Sequence, residues 1–251
     1  MRREFGSYLL VLITLPIVWW LGAELSNLPT SILPPPGMVL QLIQEESGNL
    51  LQHTIATLRI ALIGYGLANL LAILLAISFL YLRGLEEFVT PWTVIARNIP
   101  YVALASILIV TMGDTIAPKL IIVILVTFFP LLANLKKGLR ATPQVLLDRM
   151  QTLHASRWQV FRKVRWPNAL PYYMAAHEIA FTGSIIGAII AEWFFASEGL
   201  GYLIVQATTE YRADRLYAVA LISSLLSVAF YIGIRVIDQR LFKWKGALPN
   251  D

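Results

Sequence analysis

Few side chains in this sequence could do covalent or metal chemistry. It contains no cysteine and three histidines, His53, His154 and His177, which lie far apart along the chain. No group of histidine and carboxylate residues has the spacing of a metal site, and no G-x-x-x-x-G-K-[ST] loop is present to hold a nucleotide phosphate. We therefore expect no catalytic residue, no metal ion and no bound cofactor in this chain.

Ionisable residues inside apolar runs offer a second kind of chemistry. Arg59, Arg97, Glu178 and Glu192 lie within long apolar segments, and Asp114 lies at the end of one. In membranes such groups mark ion or substrate pathways, or they form interhelical pairs or reach the membrane surface. A secondary transporter would need them for ion coupling, but such folds usually contain internal repeats, and we find no convincing repeat.

The composition is typical of a membrane protein. Hydrophobic residues make up 57% of the 251 residues and charged residues 14%, against about 25% charged residues in a soluble domain. The net charge of +5 would also suit a protein that binds nucleic acid or an anionic surface. The positions of the charges decide between these alternatives.

Six apolar runs are expected to span a membrane; the first is about the length needed to cross roughly 30 Å of hydrocarbon, and the fourth is compact. The expected spans are 8–25, one within 54–82, 92–112 with a break at Pro100, 120–135, 172–195 and 216–234. Between them we expect a proline-rich loop at 28–37, a helix outside the bilayer at 38–51 and a turn at 83–87. A cleaved signal peptide is the alternative for the first run, but no small-residue cleavage site follows it.

The residues from 148 to 167 form the one long basic segment in this apolar sequence. Upstream of it, Thr142 and Pro143 predict the start of a helix, with Thr142 as N-cap and Pro143 as the first helical residue. We expect this helix to end at His154, where the apolar periodicity breaks.

A second helix is expected to follow at once. Ser156 and Gln159 have the spacing of a capping box, and Pro167 is expected to stop the helix. A basic second helix is also typical of a DNA-binding helix–turn–helix, but the neighbouring spans leave little room for a duplex. A merely solvated loop is the other alternative, yet Trp158 and Phe161 are large apolar groups that favour burial against a partner.

The lysine and arginine positions predict the orientation. If the 148–167 segment is cytoplasmic, six spans place both termini on the same side. Three basic residues, Lys119, Arg212 and Arg215, then lie outside, and fifteen lie inside. The fifteen are Arg2, Arg3, Arg83, Lys136, Lys137, Arg140, Arg149, Arg157, Arg162, Lys163, Arg165, Arg235, Arg240, Lys243 and Lys245. The charge is therefore a topology signal and argues against nucleic acid as a partner.

The same segment resembles the EAA loop of the permease subunits of ABC importers. That pattern reads Glu-Ala-Ala, three residues, Gly, nine residues, then Ile-x-Leu-Pro. The spacing agrees throughout, although several identities differ. The matching positions are Asp148, Arg149 and Met150, then His154, then Val164, Trp166 and Pro167. The resemblance runs from about residue 33 to residue 244, through 155–159, 169–171, 191–192 and 199–202. The chain is most similar to the branch that serves nitrate, sulfonate, taurine and bicarbonate importers.

The resemblance implies an all-α membrane domain over residues 1–251, with about six transmembrane helices of the type I importer kind. It implies a coupling loop at about 136–171 in a multi-pass protein of the cell inner membrane. The implied partners are a second permease copy, two cytoplasmic ATPase subunits that bind ATP and Mg, and an extracytoplasmic solute-binding protein.

The family's loop docks in a groove on the ATPase, which implies that role for the matching residues here. They are Asp148, Met150, His154, Ala155, Ser156, Arg157, Trp158, Phe161 and Pro167. Replacing Asp148 or Trp158 by alanine is then expected to uncouple ATP hydrolysis from transport.

His154 stands where the family has glycine. A helix C-terminus often ends in the left-handed conformation, which histidine adopts less easily than glycine but more readily than most residues. We predict a positive φ at His154; the alternative is a turn that needs no such conformation.

The fifth predicted span contains a G-x-x-x-G pattern at Gly183 and Gly187. This pattern allows a close approach of helices, either within one subunit or across a dimer axis. By resemblance the span lines the translocation pathway, so Glu178, Gly183, Gly187 and Glu192 are its candidate residues. Residues 199–201 are expected to form an extracellular turn.

Glu178 bears on the cargo. Taurine- and sulfonate-type relatives commonly have arginine there, which suits an anion, whereas a glutamate would repel one. The alternative to an anionic cargo is therefore a neutral or cationic heterocycle, such as a thiamine precursor. An ion pair with Arg149, Arg165 or another cytoplasmic-side base would instead give Glu178 a structural role.

Overall fold

The computed structural model describes residues 2–194 and 196–241, and these ranges contain helices and no strand. The helices are α1 (Arg2–Leu25), α2 (Pro36–Glu45), α3 (Ser47–Tyr81), α4 (Arg83–Arg97), α5 (Tyr101–Met112), α6 (Ile116–Arg140), α7 (Gln144–Thr152), α8 (Arg157–Val160), α9 (Trp166–Glu192), α10 (Leu200–Thr209) and α11 (Ala213–Leu241). A π-helical turn, Phe161–Arg165, joins α8 to α9. The all-α prediction is confirmed.

Four helical segments of the described chain are long and apolar enough to span a membrane. They are α3, α6, the continuous segment from α8 through α9, and α11. Helices α4 and α5 meet the same criterion together but are bent by 93° at the break that Pro100 predicted. The predicted first span lies in α1 and partly outside the residues whose side chains are described, so the count of six stays a prediction.

Helices α6 and α9 pack side by side at the centre of the molecule. Leucines repeat every four residues along α6 and are fully buried against alanines of α9 and α3. Because alanine barely extends from its helix, the three helix axes lie close together. The residues of this core are Leu131, Leu135, Leu139, Ala169, Ala176, Ala180, Ala68, Ala72 and Ala76.

Glycines sit where the helices approach most closely. A Cβ atom on Gly187 would lie 3.3 Å from Cα of Val123, and one on Gly183 would lie 3.2 Å from Cγ1 of Val126. The G-x-x-x-G face of α9 therefore packs on α6 inside one subunit. Of the two alternatives for this pattern, this chain adopts the intrasubunit one.

Two predicted boundaries in the first half are wrong, and ion pairs explain both. The expected helix 38–51 divides at Glu46, whose carboxylate is held by Arg212 and Arg215 at the start of α11. The expected turn at 83–87 is already helical, because Glu86 pairs with Lys136 and Arg140 of α6 and holds the first turn of α4 against that helix.

Gly138 provides a test of the close packing. A Cβ atom there would lie 2.9 Å from the backbone Cα of Ala169, whereas one on Gly66 of α3 would meet nothing within 4 Å. Gly138→Ala is expected to cost about 1–3 kcal/mol of stability through overpacking. Gly66→Ala should instead be neutral or add up to ~1 kcal/mol through its helix propensity. Thermal unfolding in detergent, followed by tryptophan fluorescence, compares the two, and an unchanged Tm for Gly138→Ala would contradict this packing.

Candidate coupling loop and far-end cluster

The segment from residue 141 to residue 165, which we call the 141–165 loop, projects from the bundle between α6 and α9. None of the residues of α7 is buried. The loop is attached at its base by Thr142, which is buried and donates its hydroxyl to the carbonyl of Leu139 at 3.3 Å. The prediction of Thr142 as N-cap is wrong, since Pro143 occupies that position and Thr142 binds back to α6 instead.

The turn after α7 confirms the prediction for His154. Its φ is +50°, its N–H donates to the carbonyl of Gln151 at 2.9 Å, and the N–H of Ala155 donates to the carbonyl of Met150 at 3.0 Å. These two bonds are the pair that defines a Schellman C-cap, which places a left-handed residue at the position of His154. The histidine takes the backbone conformation for which glycine is the usual choice.

The predicted capping box is also confirmed. The N–H of Ser156 donates to Oε1 of Gln159 at 2.8 Å, and the N–H of Gln159 donates to Oγ of Ser156 at 3.3 Å. Pro167, by contrast, does not stop the helix. The π-helical turn directly precedes it, and this wider turn accommodates the proline at the start of α9 without a break.

The 141–165 loop leaves large apolar side chains uncovered. Val145 is 62% exposed, Leu153 74% and Trp158 63%, whereas Phe161 is buried and stacks on Trp158 with ring centroids 5.6 Å apart. Phe161 and Val164 fix the base of the loop to the bundle, so the apolar surface is presented from a rigid support.

The structure distributes the nine predicted coupling residues unevenly. Phe161 is buried, and Pro167 lies within the helix that enters the bundle. Seven others are exposed or partly exposed on the loop: Asp148, Met150, His154, Ala155, Ser156, Arg157 and Trp158. Asp148 accepts a hydrogen bond from Gln144 within the same helix at 2.9 Å.

Glu178 is partly exposed on α9, about 18 Å along the helix from Trp166 at ~1.5 Å per residue. Neither Arg149 nor Arg165 reaches it, and no ion pair joins it to any basic residue of the described chain. Arg165 donates instead to the carbonyl of Leu139 at 3.3 Å. Within the described residues, the ion-pair alternative for Glu178 is therefore not realised.

A polar and aromatic cluster next to Glu178 escaped the sequence reasoning. The hydroxyl of Tyr65 on α3 is hydrogen-bonded to Nδ1 of His177 on α9. The hydroxyl of Tyr173 donates to Oδ1 of Asn69 at 2.6 Å, and the Tyr173 and His177 rings meet edge to face at 4.2 Å. The sequence did contain a signal for this cluster. Tyr65 and Asn69 on α3, and Tyr173 and His177 on α9, are each four residues apart, a spacing that places both members of a pair on one face of the helix.

Glu192 lies at the end of the bundle away from the 141–165 loop, which we call the far end. It is 1% exposed, and its Oε2 accepts hydrogen bonds from the hydroxyl of Thr57 at 2.8 Å and the N–H of Gly201 at 3.0 Å. Its Oε1 has no partner. The role of Glu192 as a pathway residue stays a prediction; in this chain it binds the backbone of another helix.

Two more side chains of α3 bind the same backbone segment. The N–H of Leu200 donates to Oγ1 of Thr57 at 2.7 Å, and the N–H of Gly199 donates to Nδ1 of His53 at 2.9 Å. Three successive N–H groups at the start of α10 thus find acceptors in His53, Thr57 and Glu192, which we call the far-end cluster. A carboxylate at a helix N-terminus is favourable because it meets free N–H groups and the positive end of the helix dipole.

The predicted extracellular turn at 199–201 is therefore partly wrong. Gly199 has a φ of +113° and precedes α10, but Leu200 and Gly201 are already helical. A side chain at Gly199 would collide with the Glu192 carboxylate, and one at Gly201 with the carbonyl of Ile189. The two glycines are needed so that the backbone can approach α9.

Three basic residues of the far end, Lys119, Arg212 and Arg215, are neutralised by carboxylates. Lys119 lies 2.5 Å from Asp114, Arg212 binds Glu46 and Asp214 at 2.9 Å each, and Arg215 binds Glu46 at 2.9 Å and Glu210 at 3.2 Å. Burial alone would raise the pKa of Asp114, but hydrogen bonds and charge from Lys119, together with hydrogen bonds from Ser197, outweigh burial and lower it.

Glu192 can be tested by two substitutions. Glu192→Gln is expected to be tolerated, because the amide oxygen still accepts hydrogen bonds from Thr57 and Gly201. The substitution also removes the negative charge of the buried carboxylate, whose Oε1 has no partner. Glu192→Leu leaves these buried donors without an acceptor, which costs roughly 1–3 kcal/mol for each. Hydrogen exchange of the amides at 199–201 should accelerate in Glu192→Leu alone; equal protection in both variants would refute the capping role.

Comparison with known proteins identifies the relatives of this chain. Residues 68–243 match the family described as the binding-protein-dependent transport system inner membrane component. A probable ABC transporter permease protein of Haemophilus influenzae is 34% identical over 97% of this chain and 99% of its own length. The formylaminopyrimidine transport permease ThiX of Halalkalibacterium halodurans is 30% identical over 98% and 99% of the two chains. The taurine transport permease TauC of Escherichia coli is 26% identical over 98% and 92%.

Solved structures support the same fold. A structure of the methionine ABC transporter MetNI in an inward-facing conformation superimposes with a TM-score of 0.69 at 18% identity, covering 78% of this chain and 97% of that one. These relatives are membrane-embedded transport components and not enzymes. The chain belongs to the family of binding-protein-dependent inner membrane components and is a multi-pass permease subunit of an ABC importer.

Proposed function

We propose that this chain forms one half of the pathway of an ATP-driven importer, that a second copy forms the other half, and that the 141–165 loop docks on a cytoplasmic ATPase subunit. Two such ATPase subunits bind the ATP and Mg, since this sequence lacks a phosphate loop. An extracytoplasmic binding protein delivers the solute. The exposed apolar surface of the 141–165 loop, at the end of one continuous helix, is the observation that carries the proposal.

Docking explains why the loop exposes apolar side chains away from the bundle. Val145 and Leu153 have no apolar neighbour that covers them, although burying side chains of this size contributes about 1.5–3 kcal/mol each. The Schellman turn at His154 and the capping box at Ser156 fix the angle between α7 and α8. The loop is therefore preorganised to fill a groove on a partner.

The helix behind the loop supplies a rigid connection to the opposite end of the bundle. The segment from Arg157 to Glu192 is helical throughout and 36 residues long, so it extends about 54 Å at ~1.5 Å per residue. When ATP-driven closure draws two such loops together, each helix moves as a rod, and Glu192 carries the start of α10 with it. The bundle thereby swings from inward-facing to outward-facing, and hydrolysis returns it with the solute.

The elbow between α4 and α5 supports a second copy. At the elbow, the first N–H groups of α5 lack intrahelical acceptors, and Pro100 offers no side-chain cap. Free backbone groups at membrane depth require either another protein surface or a water-filled cavity. Asn98 and Ile99 at the elbow are exposed in the single chain. A homodimer with an aqueous pathway at this elbow would supply either the protein surface or the water that these backbone groups need.

The distribution of lysine and arginine supports the orientation. Arg149, Arg157, Arg162 and Lys163 lie on the 141–165 loop, whereas Lys119, Arg212 and Arg215 lie at the far end. Short loops rich in lysine and arginine are retained on the cytoplasmic side of a membrane. We therefore place the 141–165 loop and both termini in the cytoplasm.

For the cargo, we propose a neutral or cationic heterocycle. Glu178 has no basic partner in the described chain and would repel an anion, so a taurine- or nitrate-like solute fits poorly. The pyrimidine permease ThiX is also more similar to this chain than the taurine permease TauC, at 30% against 26% identity. On α9, His177 is adjacent to Glu178 and Tyr173 lies five residues before it, and the Tyr65 ring of α3 packs against His177.

Leu153→Asp tests the docking. An aspartate in an apolar contact costs more than roughly 1.4 kcal/mol, so stimulation of the ATPase subunit should need about tenfold more permease or be lost. Gln151→Asp places the same charge on another exposed side of α7 and is the matched control. Stimulation by both variants at the level of the unmodified chain would refute the docking, provided that their Tm values are unchanged.

Glu178→Arg tests the cargo. Uptake into vesicles that contain the full importer is measured with a pyrimidine, a cationic heterocycle and taurine. The unmodified chain should transport the heterocycles and exclude taurine, and Glu178→Arg should reduce uptake of the cation most. Glu87→Gln removes a carboxylate from the exposed surface of α4 and should change nothing. Efficient taurine uptake by the unmodified chain would overturn the charge argument.

A further inference from the structure

An apolar groove opens between the loop end of α3 and the π-helical turn. It encloses about 360 Å³, within the roughly 300–1,000 Å³ of small-ligand pockets. The wall on α3 is formed by two isoleucines, and aromatic rings with one arginine form the other wall. The lining residues are Ile73, Ile77, Trp158, Phe161, Trp166 and Arg162.

The lining of the groove suits the boundary between hydrocarbon and headgroups. Ile77 is four residues and Ile73 eight residues before the end of α3 at Tyr81, which places them ~6 and ~12 Å inside that end. Tryptophans prefer the interfacial layer, where an apolar ring and a polar N–H are both accommodated. Trp158 and Trp166 border an apolar slot of the kind that would begin at headgroup level and extend into the membrane.

Arg162 gives the groove a positive mouth. Its side chain is exposed and forms no ion pair within the described residues, and Arg157 and Lys163 nearby are equally unpaired. By contrast, Lys119, Arg212 and Arg215 at the far end are all neutralised by carboxylates. A planar guanidinium forms paired hydrogen bonds to a phosphate, and basic pockets on the cytoplasmic side attract anionic lipids.

We propose that this groove binds an anionic phospholipid of the inner leaflet, with its phosphate on Arg162 and an acyl chain along Ile73 and Ile77. The inference depends on the cytoplasmic placement of the 141–165 loop under the proposed function. The bound lipid then covers the side of Trp158 that lines the groove and braces α8 against α3, whereas Val145 and Leu153 remain for the ATPase. The membrane thus contributes to the rigidity of the helix that leads from the loop to α9.

Acyl-brominated lipids test this proposal, because bromine quenches a tryptophan that it touches. The full importer is placed in vesicles of phosphatidylcholine and phosphatidylglycerol in which one lipid or the other is brominated. The contribution of Trp158 is the difference between the unmodified chain and Trp158→Phe, which retains a ring to stack on Phe161. Brominated phosphatidylglycerol is expected to quench Trp158 at a lower mole fraction than brominated phosphatidylcholine.

Arg162→Gln should reduce the preference of the groove for phosphatidylglycerol over phosphatidylcholine about fivefold, as expected for one basic residue near an anionic headgroup. Lys163→Gln is the matched control, since Lys163 is exposed and adjacent to Arg162 but does not line the groove. The lipid preference of the Lys163→Gln variant should be unchanged. Equal quenching by the two lipids, or an unaltered preference in Arg162→Gln, would overturn the proposal. Quenching by neither lipid in the full importer, but by both in the permease alone, would assign the groove to the ATPase instead. The Leu153→Asp assay measures stimulation of the ATPase and not quenching. A failure of the lipid proposal can therefore be distinguished from a failure of the docking proposal.

Discussion

The close packing of α9 against α6 is the constraint on which the rest of this structure depends. Fully buried leucines of α6 meet alanines of α9. Gly138 brings the two backbones to a distance that excludes even a methyl group, and at Gly187 a methyl group would be tightly confined. A helix held this closely along its length moves as a unit. The 141–165 loop at one end and the far-end cluster at the other are therefore connected mechanically by the same element.

The two ends of this element differ in how their polar groups are satisfied. At the far end, His53, Thr57 and Glu192 accept hydrogen bonds from the first N–H groups of α10, and Lys119, Arg212 and Arg215 have carboxylate partners. At the loop end, apolar side chains and unpaired arginines remain exposed in the described chain. The start of α10 is thus capped within one chain, although Oε1 of Glu192 has no partner, whereas the exposed loop end is the surface for which we propose a protein and a lipid partner.

Local rules of the sequence predicted much of the loop and little of the tertiary polar contacts. The capping box at Ser156 and the positive φ of His154 follow from neighbouring residues, and both were predicted. Pro167 was misread because the π-helical turn that accommodates it has no single-residue signal. The caps of α10 were missed because Thr57 lies 143 residues before the Leu200 amide that it binds, a distance at which periodicity carries no information.

The absence of cysteine from the sequence makes a direct measurement simple, since one introduced thiol reports on one site. Leu153→Cys places a thiol on the surface that we assign to the ATPase, and Tyr211→Cys places one at the exposed far end. The rate of thiol labelling is measured with and without the ATPase subunit. The account predicts strong protection at position 153 and none at position 211; equal labelling at both positions in the assembled complex would contradict it.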